Sequence, residues 1–196
     1  MQDFNLYFLL GVEHILTWEA LDHILFVAVL CVRYGWSDWK KVLILVTAFT
    51  IGHSITLALA ATGRVSAPVD WIEFLIPLTI AATAADNIFE KNPSRAPLQV
   101  LGLPLIYFLA LFFGMIHGLA YANTLLDLEG TEGLVSHLLA FNLGIELAQL
   151  LVVAIVLTLS FIFVTQFKWP LRRWLLVVSI ATLAFSLFMA FQRFPV

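Results

Sequence analysis

Apolar residues run through this chain in long, unbroken stretches, separated by short segments that hold proline, glycine and charge. A hydrocarbon layer about 30 Å thick is crossed by about 20 apolar residues of helix. That measure predicts six spans, near Phe4–Val32, Val42–Ala61, Trp71–Phe89, Leu98–Leu126, Leu134–Val164 and Leu171–Phe191. The runs do not alternate, which argues against a transmembrane barrel. The expected fold is an all-α polytopic bundle of six transmembrane helices, one integral membrane domain over residues 1–196. The first stretch is too long for one straight crossing. It either breaks near Thr17–Glu19 and restarts, or tilts strongly. The fifth projects beyond the bilayer, and Pro77 predicts a kink in the third. Pro93, Pro97 and Pro170 mark loops. No stretch reads as an internal repeat.

The short connections carry the charge. Arg33, Lys40 and Lys41 follow the first span, Lys91 and Arg95 the third, and Lys168, Arg172 and Arg173 the fifth. The opposite connections hold Arg64 with Asp70, then Asp127, Glu129 and Glu132. The positive-inside rule puts the first set in the cytoplasm and both termini outside it. Trp36, Trp39, Trp71, Trp169 and Trp174 fall at span ends, where an interfacial aromatic belt is expected. Composition agrees: 62% of residues are hydrophobic and 12% charged, against about half and a quarter in soluble domains. A net charge of −3 without a basic patch excludes nucleic acid as a partner. The single cysteine, Cys31, rules out an intramolecular disulfide and reads as a small core residue. The Met-Gln-Asp start has neither a basic region nor a small-residue cleavage site, so no cleavable signal peptide is expected.

Ionisable groups at membrane depth are costly and mark functional sites. The first span holds Glu13, His14, Glu19, Asp22 and His23. Glu19, Asp22 and His23 are three or four residues apart and share a helix face. His14 and Asp22 would stand roughly 80° apart on a regular helix, whereas His14 and His23 would face opposite ways. Only a broken helix brings both histidines to one site, and the bend is expected at Trp18–Glu19. In the second span Thr47, Thr50, His53 or Ser54, and Thr56 form a polar stripe, and Gly52 permits close helix approach. The hydroxyls alone read better as bonds to their own backbone or to a neighbouring helix. Glu73 and Asp86 lie near the two ends of the third span. His117, flanked by Gly114 and Gly118, is expected to point into the bundle. Asn142, Glu146 and Gln149 make one polar face of the fifth span. His137 reads as interfacial.

Four spans thus deliver histidine or carboxylate to overlapping depths. Imidazole suits zinc, copper, iron and nickel, and carboxylate widens the choice towards harder ions. With no thiolate beyond Cys31, a soft copper or iron–sulfur site is disfavoured. Candidate metal ligands are His14, Asp22, His23, His53, His117 and Glu146. Candidate pathway residues are Glu13, Glu19, Thr50, Ser54, Asn142, Gln149 and Asp86. The same groups would also suit a proton relay.

Several of these residues make a familiar series. Gly11-x-x-His14-Ile15, Asp22-His23-Ile24-Leu25-Phe26, Thr47-Ala48-Phe49-Thr50-x-Gly52-His53-Ser54, Phe113-Gly114-x-x-His117-Gly118 and Phe141-Asn142-x-Gly144-x-Glu146-x-x-Gln149 resemble the HupE/UreJ family. The interval between His14 and Asp22 departs from the family pattern, being longer and without its glycine. The resemblance implies a small integral membrane protein linked to hydrogenase or urease maturation, acting as a nickel or cobalt permease. It also implies that His14, Asp22, His23 and His117 are metal-handling positions.

The leading expectation is therefore a permease, not an enzyme, in a bacterial inner membrane. Its substrate would be a divalent metal ion, nickel, cobalt or zinc. Asp127, Glu129 and Glu132 would concentrate cations at the outer mouth. No P-loop supplies a nucleotide site. The expected partners are the lipid bilayer and the ion, with a homo-oligomer or a metalloenzyme maturation protein possible. One alternative is a membrane-embedded metal-dependent hydrolase with His23, His53 and His117 as ligands, Glu146 or Asp22 as base and Ser54 orienting. Another is an accessory subunit whose polar centre only fixes helix packing.

Overall fold

The structure is a computed structural model, and it describes residues 2–90, 99–100, 103–128 and 133–195. Helix α1 (Gln2–Leu16) stops at Thr17, whose extended backbone (φ −86°, ψ 159°) leaves the helical region. A 3₁₀ turn, Trp18–Ala20, leads into α2 (Leu21–Cys31). The two helices meet at 71°, so the first span is broken where the opposed histidines required it. Next come α3 (Trp39–Ala61) and α4 (Val69–Phe89). A two-residue antiparallel ladder pairs β1 (Gln99–Val100) with β2 (Leu103–Pro104). After it come α5 (Leu105–Leu128), α6 (Leu134–Ser160) and α7 (Leu171–Gln192). Leu98, where the fourth span is expected to start, lies outside the described residues, and helix α5 begins at Leu105. Pro104 has no N–H to give a helix and disfavours helical backbone at Leu103. Helix α6 runs on as a π-helical segment, Phe161–Gln166.

Among the described residues, four stretches are long and apolar enough to cross a membrane on their own: Trp36–Ala61, Val69–Phe89, Leu134–Gln166 and Leu171–Gln192. The bent pair α1–α2 makes a fifth. The chain is an integral membrane protein with a helical-bundle fold.

Three helix pairs dominate the packing: α1 with α6, α3 with α5, and α4 with α7. Lipid tails are as apolar as leucine, so close van der Waals fit rather than escape from water holds such pairs together. Glycine allows that fit. At Gly52 on α3 a Cβ would overlap the Leu111 carbonyl, and at Gly114 on α5 it would overlap the Phe49 carbonyl. The core between the pairs holds Phe26, Phe49, Phe141, Leu45, Leu57 and Ile145, while Leu9, Ile44, Leu147, Leu151 and Phe188 face outward.

Helix ends are tied by polar contacts. Arg33 donates to Asn87 Oδ1 (2.6 Å) and Asp86 Oδ2 (3.3 Å). Arg172 donates to the carbonyls of Asn87 and Ile88, and Asn87 Nδ2 donates to the Val29 carbonyl (2.8 Å). Trp36, Trp39 and Trp71 are exposed, as a belt requires. Trp174 is not. It is 7% exposed and stacks on Phe163 of the π segment, with centroids 4.8 Å apart and planes at 13°.

Candidate metal centre

The break after α1 has a direct consequence. It turns the start of α2 back towards α1, so that His14 and His23 come to one place with ring centroids 4.9 Å apart. Helix α3 brings His53, whose ring lies 6.3 Å from His14 and 6.4 Å from His23. Helix α5 brings His117, 5.0 Å from His23. His14, His23 and His53 each place a ring nitrogen within 4.8 Å of the others, a grouping able to hold a metal ion. His53 is fully buried and His117 almost so, and neither faces water or lipid.

Three of the four rings have their orientation set at Nδ1. His23 Nδ1 lies 3.0 Å from Asp22 Oδ1, and His117 Nδ1 lies 2.7 Å from the Phe113 carbonyl oxygen. His53 Nδ1 lies 3.2 Å from Asn142 Oδ1. Asn142 Nδ2 donates to the Leu138 carbonyl (2.8 Å), which fixes that amide with its oxygen towards His53. A carboxylate or carbonyl oxygen only accepts, so each Nδ1 carries the hydrogen and a neutral ring keeps its lone pair on Nε2. Those Nε2 atoms are buried and find no hydrogen-bond partner among the described residues, and the same holds for His14 Nε2. A buried polar atom left unpaired is expensive. Four of them in one cluster, three with the tautomer of a metal ligand, is an arrangement with a first-row cation as its natural complement.

His14, His23 and His117 line a cavity of about 540 Å³ whose walls also include Glu13, Thr17, Asp22, Glu73, Tyr121 and Arg193, while His53 is not part of its lining. Asp22 is engaged through both carboxylate oxygens. Its Oδ1 accepts from His23 Nδ1 and from the His23 backbone N–H (2.8 Å), and its Oδ2 accepts from Arg193 Nη1 at 3.2 Å. On the side away from the cavity, Phe26, Phe49 and Phe113 close the cluster. Phe49 lies 5.0 Å from His117, and Phe26 lies 5.1 Å from Phe49 and 5.7 Å from Phe113.

A sequence profile of the family described as HupE / UreJ protein matches residues 1–193. The chain belongs to the HupE/UreJ family. Comparison with curated proteins and with solved structures gave no match.

This HupE/UreJ protein distributes its other expected site residues unevenly. Glu13 and Glu73 are exposed on the cavity wall. Glu146 is not in the histidine cluster: its carboxylate accepts from Thr47 Oγ1 at 2.7 Å, between α3 and α6. Thr50 donates to Gln149 Oε1 (3.0 Å), also between those helices, while Gln149 Nε2 is buried without a partner among the described residues. Ser54 donates to the Thr50 carbonyl (2.7 Å), so it is spent on its own helix. Asp86 lies at the far end of α4 with Arg33 and takes no part in the site. His137 stacks on Tyr7, with centroids 4.2 Å apart. Glu19 falls in the 3₁₀ turn, but its side chain lies outside the described set. So do the side chain of Asp127 and residues Glu129 and Glu132.

Two residues were missed by sequence reasoning. Arg193 looks like a solvated cation near a helix end, and nothing local ties it to Asp22. Tyr121 looks like a belt or core aromatic. It stacks on Phe141 (4.9 Å, 8°) and lies 4.2 Å from His14, forming a cavity wall.

Proposed function

We propose that this protein is a permease for a divalent transition-metal ion of the nickel or cobalt type, with His14, His23, His53 and His117 as the intramembrane site. The observation that carries the reading is a set of four buried Nε2 atoms without a partner among the described residues, those of His14, His23 and His117 at the wall of an acid-rimmed cavity and that of His53 beside them. Zinc suits the same donors, and the family points to nickel or cobalt. We read six crossings, α5 being the one added to the five above, with both termini outside the cytoplasm of a bacterial inner membrane. Residues 1–196 then form one membrane domain.

The ion enters where Glu13 and Glu73 offer carboxylates, and loses water as imidazoles replace it. Asp22 orients His23 rather than binding the ion first, because both of its oxygens are engaged. Arg193 shares the cavity with the arriving cation, so its pairing with Asp22 keeps its charge away from the histidines. Beyond His53 and Asn142, the polar pairs Thr50–Gln149 and Thr47–Glu146 continue between α3 and α6 and offer oxygen ligands towards the other side. Oxygen ligands hold such ions more loosely than imidazole, as release requires.

The test is uptake into liposomes holding the purified protein and a metal-sensitive dye, across nickel, cobalt, zinc, iron and manganese. Uptake of at least one ion, abolished by His23→Ala or His117→Ala, supports the reading; flat traces for all five sink it. One observation favours a metal-dependent hydrolase instead: the cavity is large enough for an organic substrate. That reading requires turnover by metal-loaded protein in detergent, without any membrane to cross.

A further inference from the structure

The two tightest helix pairs are built alike. Leu9-Leu10-Gly11-Val12-Glu13-His14 on α1 matches Phe112-Phe113-Gly114-Met115-Ile116-His117 on α5, glycine on glycine and histidine on histidine. Ala48-Phe49-Thr50-Ile51-Gly52 on α3 matches Ala140-Phe141-Asn142-Leu143-Gly144 on α6. The contacts repeat in the same register. Gly11 faces the Phe141 carbonyl, and its counterpart Gly114 faces the carbonyl of Phe49, the counterpart of Phe141. Gly144 faces the Phe8 carbonyl and the Val12 nitrogen, and Gly52 faces the Leu111 carbonyl and the Met115 nitrogen. Phe8 with Leu111, and Val12 with Met115, are again counterparts. Thr50 bonds back to the Val46 carbonyl (3.2 Å), and Asn142 bonds back to the carbonyl of Leu138, the counterpart of Val46 (2.8 Å). The remaining pair, α4 with α7, joins the third crossing of each series, α1–α2 counting as one, and both helices begin after an extended proline, Pro68 and Pro170. The expectation of no internal repeat is therefore corrected. Few identical side chains survive, and the likeness lies in the packing.

Direction matters. The contacts Tyr7–His137 and Gly11–Phe141 advance together, so α1 and α6 run the same way. The contacts of Gly114 with Phe49 and of Gly118 with His53 show the same for α5 and α3. Consecutive crossings alternate, so α5 opposes α6 and hence opposes its own counterpart α1. The two series are inverted, related by a two-fold axis in the membrane plane that exchanges His14 with His117. Each of these histidines sits three residues beyond a locking glycine. Inverted repeats place substrate where the halves meet, and let one half adopt the shape of the other.

Resting on the permease reading, we propose that α1–α4 and α5–α7 exchange conformations about this axis and carry the ion between two symmetry-related cavities. In the state described here the cavity beside Leu10 and Glu13 is open, and Phe49 and Phe113 close the other side. Exchange opens the space beside Phe113 and Ile116, the counterparts of Leu10 and Glu13, to the opposite face of the membrane. The α1–α2 bend, against an unbroken α5, is the asymmetry that separates the two states.

The test uses thiol labelling in full-length protein in oriented vesicles, in a Cys31→Ser background that removes the native thiol. Glu13→Cys and Ile116→Cys are probed with a membrane-impermeant maleimide from each side, with and without nickel. Leu10→Cys and Phe113→Cys serve as a second pair should either first variant fold poorly. The expected result is labelling of the two counterparts from opposite faces, with nickel changing their rates in opposite directions by severalfold. Labelling of both from one face, or rates that move together, overturns the exchange. Liposome uptake by wild type separates the two claims. Uptake without reciprocal labelling removes the exchange and keeps the permease. Reciprocal labelling without uptake keeps the exchange and removes the permease.

Discussion

Replacing Asp22 by asparagine is the most informative single change. The amide keeps the shape and an oxygen for His23 Nδ1, now 3.0 Å away, and removes only the charge. Carboxylates that orient a ligand histidine raise its basicity, and losing one weakens metal affinity by about 10- to 100-fold. That is about 1.4–2.7 kcal/mol. Three features of the site place the effect in that range. His23 keeps its tautomer, the other three histidines are untouched, and Arg193 loses its partner and leaves a net positive charge nearer the ion. Asp22→Ala goes further, because it strips both Nδ1 and Arg193 of their acceptor; breaking a buried pair costs about 3–5 kcal/mol, so reduced folding should accompany it. The assay is calorimetric titration of the detergent-solubilised protein with nickel and with zinc. An affinity of the Asp22→Asn variant within twofold of wild type would refute an orienting role. A loss as complete as that of His23→Ala would make Asp22 a ligand in its own right.

Other outcomes follow from the same geometry. Arg193→Gln removes the cation that shares the cavity and should tighten metal binding by several fold at low salt, measured by the same titration; weaker binding would show that the Arg193–Asp22 pair holds the site together. Gly114→Ala forces a methyl into the Phe49 carbonyl and should cost about 1–3 kcal/mol, seen as a lower melting temperature in detergent. Gly35→Ala, where a methyl meets only Ser37 Oγ at 4.0 Å, should not shift melting. Glu146→Gln should slow metal uptake while leaving equilibrium affinity unchanged, because Glu146 binds Thr47 and stands outside the cluster; a large drop in affinity would put it back among the ligands. Trp174→Phe should preserve stability, since the ring stacks on Phe163 while its buried Nε1 has no partner among the described residues; a severe loss would reveal a partner for that nitrogen.

The break in the first span was legible because two histidines on opposite faces of a straight helix leave only one way to meet. His117 was legible from its glycines, which signal close backbone approach whatever the partner. The partners themselves were not legible. Pairing α3 with α5 and α1 with α6 depends on glycine-to-carbonyl contacts between residues far apart in the chain, and the local pattern carries no trace of them. Glu146 looked like a ligand because its helix face also holds Asn142, yet only Asn142 reaches a histidine while Glu146 turns to Thr47. Trp174 stood at a span end like the belt tryptophans, but the π segment after α6 brings Phe163 over it. Arg193 shows the same limit from the other direction, since only the tertiary fold brings the end of α7 to the start of α2.

The central claim is that imidazole nitrogens of four helical segments take up one metal ion. X-ray absorption spectroscopy at the metal edge of nickel- or zinc-loaded protein tests it most directly. The account predicts a first shell dominated by imidazole nitrogen, at about 2.0–2.1 Å for zinc, with three or four such ligands. His53→Ala should lower that number by one. A shell of oxygen alone, or a spectrum that His53→Ala and His117→Ala leave unchanged, would contradict it.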